Sequence, residues 1–334
     1  MMPETPDPLW DPDLPGDEVL QRLTSLLGAY RYAPHRDHAW SIRPVRVPRA
    51  RRRRMMLAGV AALAACVAGL AVWMPWRLQW QDHRSWGVDT AAVSLPADLD
   101  VGATLTTDAS EAAMVKVARI GRMEVMPGTR VKLLDTRAGH HRLELVSGRV
   151  RARIWAPPGY FAIAAGASET IDLGCEFEMD RDLHGNGTIH VTSGWIMHRV
   201  KGQETLVPAG STVTFTAERA GIPHATTASA EFRSAVDQLD SAMAQDMRVP
   251  DIEQYVADQA APSNSFALLS LLTRYPALAS GPVYPKLAAF LGEPGEARHR
   301  EAWSRGSVHA MNLWWEQMPR PPKAWWLNWR DALG

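Results

Sequence analysis

Apolar positions follow four successive rules along the chain. In the first fifty residues Val19, Leu20, Leu23, Leu26, Leu27 and Tyr30 recur at helical spacing. Asp17 is placed to cap that helix and Gly28 to stop it. From Met55 to Trp73 nineteen consecutive residues carry no charge. From Leu95 to Thr216 the period falls to two. "VKLLD", "HRLELV", "GRVRARIW", "YFAIAA", "CEFEMD", "TIHVTSG", "WIMHRV" and "STVTF" are short, alternating or β-branched, and bounded by Gly, Pro or Asn. From Ser229 the helical period returns, through Phe232, Val236, Leu239 and Met243, then Ala267, Leu268, Leu271 and Leu272, with Pro250, Pro262, Pro276, Pro282 and Pro294 between segments.

The uncharged stretch predicts a transmembrane helix. Nineteen helical residues span roughly 29 Å, against ~30 Å for a bilayer's hydrocarbon core. Trp73, Trp76 and Trp80 fall where an interfacial aromatic belt would lie. Arg49 and Arg51–Arg54 crowd one end, so the positive-inside rule places the N-terminus in the cytoplasm. Two other readings stay open: "LAAC" (Leu63–Cys66) resembles a lipoprotein cleavage box, and the stretch fits a buried core helix. The expected divisions are 1–54, a cytoplasmic segment with one short amphipathic helix; 55–74, the membrane helix; 75–94, a linker; 95–217, a β domain; and 228–334, an α-helical C-terminal region. The fold class expected is mainly β, antiparallel and solenoid- or sandwich-like, followed by a helical bundle and preceded by one membrane helix. Localisation follows: bacterial inner membrane, single-pass, with most of the chain periplasmic.

Composition narrows the function. Lys plus Arg number 36 and Asp plus Glu 36, a balance that argues against a nucleic-acid binder. Two cysteines make no disulfide framework, and Cys175 reads as a small buried thiol. No nucleophile elbow, phosphate-binding glycine loop or metal-helix motif appears, so neither enzyme activity, metal nor cofactor is expected. His140 and His141 read as a solvated turn. His190 and His198 flank Gly194; as cross-strand neighbours they are too few for a zinc site.

Leu20, Leu23 and Leu27 form a stripe that one short helix cannot cover, which points to a docking helix or a disordered tail. Arg149, Arg151 and Arg153 alternate with Val150, Ala152 and Ile154, and Glu176, Glu178 and Asp180 with Phe177 and Met179. Cross-strand pairing, docking of an acidic partner or anionic glycan, and a solvated face all fit. Gly148, Gly174, Gly194, Gly202 and Gly210 are the expected turns, with Gly148, Gly194, Gly202 and Gly210 closing hairpins. "LVSGRVRARI" (Leu145–Ile154) and "VTSGWIMHRV" (Val191–Val200) echo one another.

In the β segment, "DVGATLTTDASEAAMVKV", "GRMEVMPGTRVKLL", "LELVSGRVRARI", "YFAIAAGASETIDLGCEFEM" and "IHVTSGWIMHRVKGQETLVPAG" occur in order. Over Asp98–Thr216 this resembles the FecR domain of single-pass envelope signalling proteins. The resemblance implies a transmembrane regulator with a β sensor domain, acting on a cytoplasmic extracytoplasmic-function sigma factor and on an envelope protein. The chain departs from that pattern in lacking the Trp-rich anti-sigma motif in its first fifty residues and in its helical C-terminus. The alternative is a non-catalytic envelope scaffold or glycan- or protein-binding module.

Overall fold

The computed structural model describes residues 18–28, 64, 66–69, 73, 76–89, 95–293 and 296–319. The chain divides into two compact units, 1–65 and 66–334. In the first, the expected amphipathic helix is present as α1 (Glu18–Leu27).

The second unit opens with strands β1 (Trp86–Asp89), β2 (Asp98–Leu99), β3 (Thr104–Thr106), β4 (Ala113–Val117) and β5 (Gly121–Val125). They are followed by β6 (Arg130–Arg137), β7 (His140–Ile154), β8 (Phe161–Ala165), β9 (Ser168–Asp172) and β10 (Glu176–Arg181). β11 (Gly187–Ser193), β12 (Trp195–Val200), β13 (Gln203–Pro208), β14 (Ser211–Phe215) and β15 (His224–Ala225) complete one continuous 15-stranded sheet. Strand β7, 15 residues long, belongs to both limbs of it. Its later half, from Gly148, lies between β5 and β10 in a first limb ordered β1-β4-β5-β7-β10-β11-β14-β15. Its earlier half lies between β6 and β8 in a second limb ordered β3-β6-β7-β8-β9-β12-β13. The inner faces of both limbs share one core that includes Val125, Leu133, Leu143, Val150, Phe177 and Ile196.

The chain crosses between limbs at glycines. Gly148, Gly174, Gly194 and Gly210 all have positive φ, and each stands where a strand of one limb gives way to a strand of the other. The Ser-Gly echo is this crossing, made once within β7 and once from β11 to β12. At Gly148 a Cβ would lie 2.4 Å from Thr129 Oγ1. That hydroxyl accepts the Arg149 N–H at 2.9 Å and sits 3.1 Å from the Arg149 carbonyl, mending the ladder at the bend. At Gly194 a Cβ would lie 2.1 Å from the Gly174 carbonyl oxygen, so two crossings lean on one another. Gly148, Gly194 and Gly210 therefore mark limb crossings, not the hairpin turns expected of them. Gly202 does close a hairpin: Lys201 and Gly202, both at positive φ, form the two-residue turn between β12 and β13.

Among the described residues six α-helices follow: α2 (Ala230–Met243), α3 (Pro250–Gln259), α4 (Ser265–Arg274), α5 (Val283–Leu291), α6 (Ala297–Ser304) and α7 (Val308–Trp315). Ser229 caps α2 by accepting the Phe232 N–H at 3.1 Å, Pro250 opens α3, and Gly292 at φ +69° ends α5. Their apolar faces bury Trp195 and Met197 of β12, Ile171 of β9, Ala162 of β8 and Leu206 of β13. The second limb is thus covered on both faces along β8, β9, β12 and β13. These strands lose the alternation that β3 and β6 keep: β12 has five of six residues buried.

Arg274 fastens the helices to the sheet. It donates to Asp240 Oδ1 of α2 at 3.2 Å, to Thr205 Oγ1 of β13 at 2.9 Å, and to the carbonyls of Ala220 at 2.9 Å and Gly221 at 3.1 Å. Asp240, 3% exposed, also takes Arg219 and the Tyr275 hydroxyl, the latter at 2.8 Å. Burial and the Asp240 charge push Tyr275 up to about 12.

Two expectations are overturned. The β region is neither wholly antiparallel nor solenoid-like: β7 and β8 pair in parallel, making the sheet mixed, and it runs unbroken through β7 without closing, its two limbs packed on one core. The membrane helix expected over 55–74, and with it the single-pass inner-membrane placement, is corrected as well. Among the described residues no helix is long and apolar enough to cross a membrane. The longest one, α2, has 14 residues, about 21 Å. Of the expected span only residues 64, 66–69 and 73 are described.

Substitution at the crossings separates them from ordinary turns. Gly194→Ala meets both positive φ and a backbone oxygen, whereas at Gly202 nothing lies within 4 Å of an added Cβ. Denaturant titration should show Gly194→Ala losing more than ~2 kcal/mol and Gly202→Ala ~1 kcal/mol. Equal losses would contradict the crossing geometry.

Candidate functional site

The outer face of the first limb carries the charged rows read from sequence. Arg153, Arg151 and Arg149 stand opposite Glu176, Glu178 and Asp180 on β10. The ion pairs are Arg153–Glu176 at 3.2 Å, Arg151–Glu178 at 2.9 Å and Arg149–Glu178 at 3.5 Å. Glu124 of β5 faces Arg151 from the other side. The arginine side chains stay 51–59% exposed, so each pair contributes only ~0.2–1 kcal/mol. Of the three readings, cross-strand pairing is the arrangement found. It leaves a ladder of alternating charge with its outer edge in solvent.

In α1, Leu23, Leu26 and Leu27 are 49%, 68% and 55% exposed. Leu20 belongs to the same helix, but its side chain lies outside the described residues. Leu26 joins the stripe at i, i+3, i+4 and was absent from the expected set of contacts.

The histidines are placed differently from expectation. His141 is wholly buried, not solvated. Trp86 Nε1–H donates to Thr136 Oγ1 at 2.9 Å, and Thr136 Oγ1 lies 2.8 Å from His141 Nδ1. The hydroxyl proton is left for Nδ1, which puts the ring proton on Nε2. His198 likewise lies 2.8 Å from a threonine hydroxyl, Thr170 Oγ1, which also contacts Met179 Sδ at 3.5 Å. Neither Nε2 has a hydrogen-bond partner among the described residues. Burial lowers both rings to about 4. His190 and His198 are not neighbours, because Gly194 sends β11 and β12 into different limbs; His190 faces Glu178 and Thr212 instead. Among the described residues no group of three or more His, Cys, Asp or Glu is placed to hold a metal.

Cys175 is buried beside Asp172, to which its thiol donates at 2.6 Å. The Asp172 carboxylate also accepts the N–H groups of Gly174 at 3.1 Å and Cys175 at 3.0 Å, bracing the crossing. Burial raises Asp172 to about 6 and holds the Cys175 thiol well above its usual range.

One cluster escaped the sequence reading. Trp76, Trp80 and Arg84 recur every four residues, and the tryptophans were assigned to a membrane belt. The Arg119 guanidinium lies 4.0 Å from the Trp76 ring and 5.8 Å from the Trp80 ring, and Arg84 lies 4.8 Å from the Trp80 ring.

No family model and no curated protein sequence matches the chain. Two crystal structures of a Parabacteroides distasonis ATCC 8503 protein described as a "putative anti-sigma factor", at 1.65 and 2.50 Å, align with it at 10% identity, with TM-scores of 0.33 and 0.32. The alignments cover 40% of this chain, which spans 63% of theirs. The resemblance of Asp98–Thr216 to the FecR domain therefore stands on its motifs alone.

The two buried histidines generate a pH dependence. Their folded values lie below the unfolded 6.5, so their contribution is present above pH 6.5 and is lost as pH falls toward 4, up to about 3 kcal/mol each. Asp172, raised from 3.8 to about 6, acts in the opposite sense over a similar window. Asp180 and Asp237, which burial raises, also act in that opposite sense; His140 and His224, which burial lowers, act with the two buried histidines. The melting temperature should drop between pH 7 and 4.5, and His198→Gln should flatten that drop. An unchanged slope in His198→Gln would contradict the assignment.

Proposed function

We propose that the chain is a non-catalytic regulator of the anti-sigma type, with α1 as its contact for a sigma factor. The observation that carries this is the apolar stripe of α1, whose Leu23, Leu26 and Leu27 are all about half or more exposed. Covering three leucines at about 25 cal/mol per Å² supplies a few kcal/mol before ordering costs, which suits a reversible contact. The choice of a sigma factor rests on the FecR-like motifs of Asp98–Thr216. A non-catalytic role is supported by where the reactive groups sit. His141, His198, Asp172, Cys175 and Asp240 are all buried and bonded within the fold.

The full chain should co-purify with an extracytoplasmic-function sigma factor of its own cell. Leu23→Asp with Leu27→Asp should abolish that capture and leave the thermal melt of the second unit unchanged. Capture retained by the double variant, or no sigma factor bound by the wild type, would overturn the proposal.

A further inference from the structure

The pocket beside the Trp76–Arg119–Trp80–Arg84 stack has the makings of a small-ligand site. Gln79, Trp80, Gln81, Arg84 and Arg119 line a partly enclosed space of about 340 Å³, at the small end of the range for ligand pockets. Its wall is fixed to the sheet. The His83 N–H donates to the Thr136 carbonyl of β6 at 2.9 Å. Arg119 Nη1 donates to the Trp76 carbonyl at 3.3 Å, and Trp80 Nε1 to the Arg84 carbonyl at 3.1 Å. Leu78 and Trp80 pack against the inner core. The site is therefore largely formed before any ligand arrives.

Its charge is one-sided. Among the described residues neither Arg84 nor Arg119 has a carboxylate within ion-pair distance, whereas Arg149, Arg151 and Arg153 each have one. The lining holds two guanidinium groups, two primary amides and an indole, with no acid. A guanidinium fork matches a planar carboxylate. Exposed Gln79 and Gln81 offer both donors and acceptors to hydroxyl groups, and the indole offers apolar surface to a ring's C–H edge. An amino acid would bring an ammonium group to a wall with no anion to receive it.

We propose that this pocket binds a monosaccharide bearing a carboxylate, a sugar acid, with Arg84 and Arg119 on the carboxylate and Gln79 and Gln81 on the hydroxyls. The site is independent of whether α1 contacts a sigma factor.

Calorimetric titration of the full chain with glucuronate, glucose and inorganic phosphate tests it. Glucuronate should bind, with glucose and phosphate each about tenfold weaker or more. Arg84→Gln should weaken glucuronate by about tenfold with only a small drop in melting temperature, because Arg84 is exposed and its ring contact is the one with Trp80. Gln81→Ala should weaken glucuronate and leave phosphate unchanged. Absence of glucuronate binding, or glucose binding equally well, would overturn the proposal. So would an unaffected Arg84→Gln variant. Phosphate binding as tightly as glucuronate would show a bare oxyanion site and overturn the sugar-acid assignment.

Discussion

Strands β8, β12 and β13 of the second limb carry apolar side chains on both of their faces, and the larger architecture follows from covering them. Along β12, Ile196 turns into the core between the limbs while Trp195 and Met197 turn toward the helices. Neither core is complete without the other limb or the helices, so the strands and α2–α7 act as one packed body. The polar exceptions at that boundary are paired. Asp240 is nearly fully buried, yet Arg219, Arg274 and Tyr275 all reach it. Removing one partner from such a group typically costs ~3–5 kcal/mol, since the rest are left buried and uncompensated. Arg274 spans from α4 to β13 and the loop after β14, so the pair also fixes how the helices sit on the sheet.

Bending a single sheet into two limbs demands backbone conformations that side chains resist. The chain meets that demand with glycine at four of the crossings, Gly148, Gly174, Gly194 and Gly210, and it braces the bends with polar groups, Thr129 at Gly148 and Asp172 at Gly174. These braces tie local conformation to burial. Asp172 is held as a buried carboxylate because its oxygens are needed by the turn that follows it.

Much of this was legible in the sequence, and the failures have physical causes. Alternation located most of the strands and identified the charged rows, because a half-exposed strand writes its burial directly into a period of two. The prolines and the helical period located α2–α7. Topology was hidden because a glycine at positive φ reads the same in a hairpin and in a limb crossing. Only the neighbours of Gly148 and Gly194 tell them apart, and those neighbours are distant in sequence. His141 was misread for a related reason. A His-His pair after glycine looks solvated until Trp86, far upstream, is laid across it. The Trp-Arg stack was lost to a membrane reading that accounted for its tryptophans too easily.

The two proposals rest on separate surfaces: the leucine stripe of α1 in the first compact unit, and the cationic pocket beside β1 in the second. The pocket reading treats the sheet and helices as a rigid platform. The most direct test of that central claim is native-state hydrogen exchange across a denaturant series, comparing amides of β12 with those of α4. One packed body predicts that both exchange through the same opening, with equal free energies and equal denaturant dependence. If α4 opens at lower free energy while β12 stays protected, sheet and helices are separate bodies and the account fails.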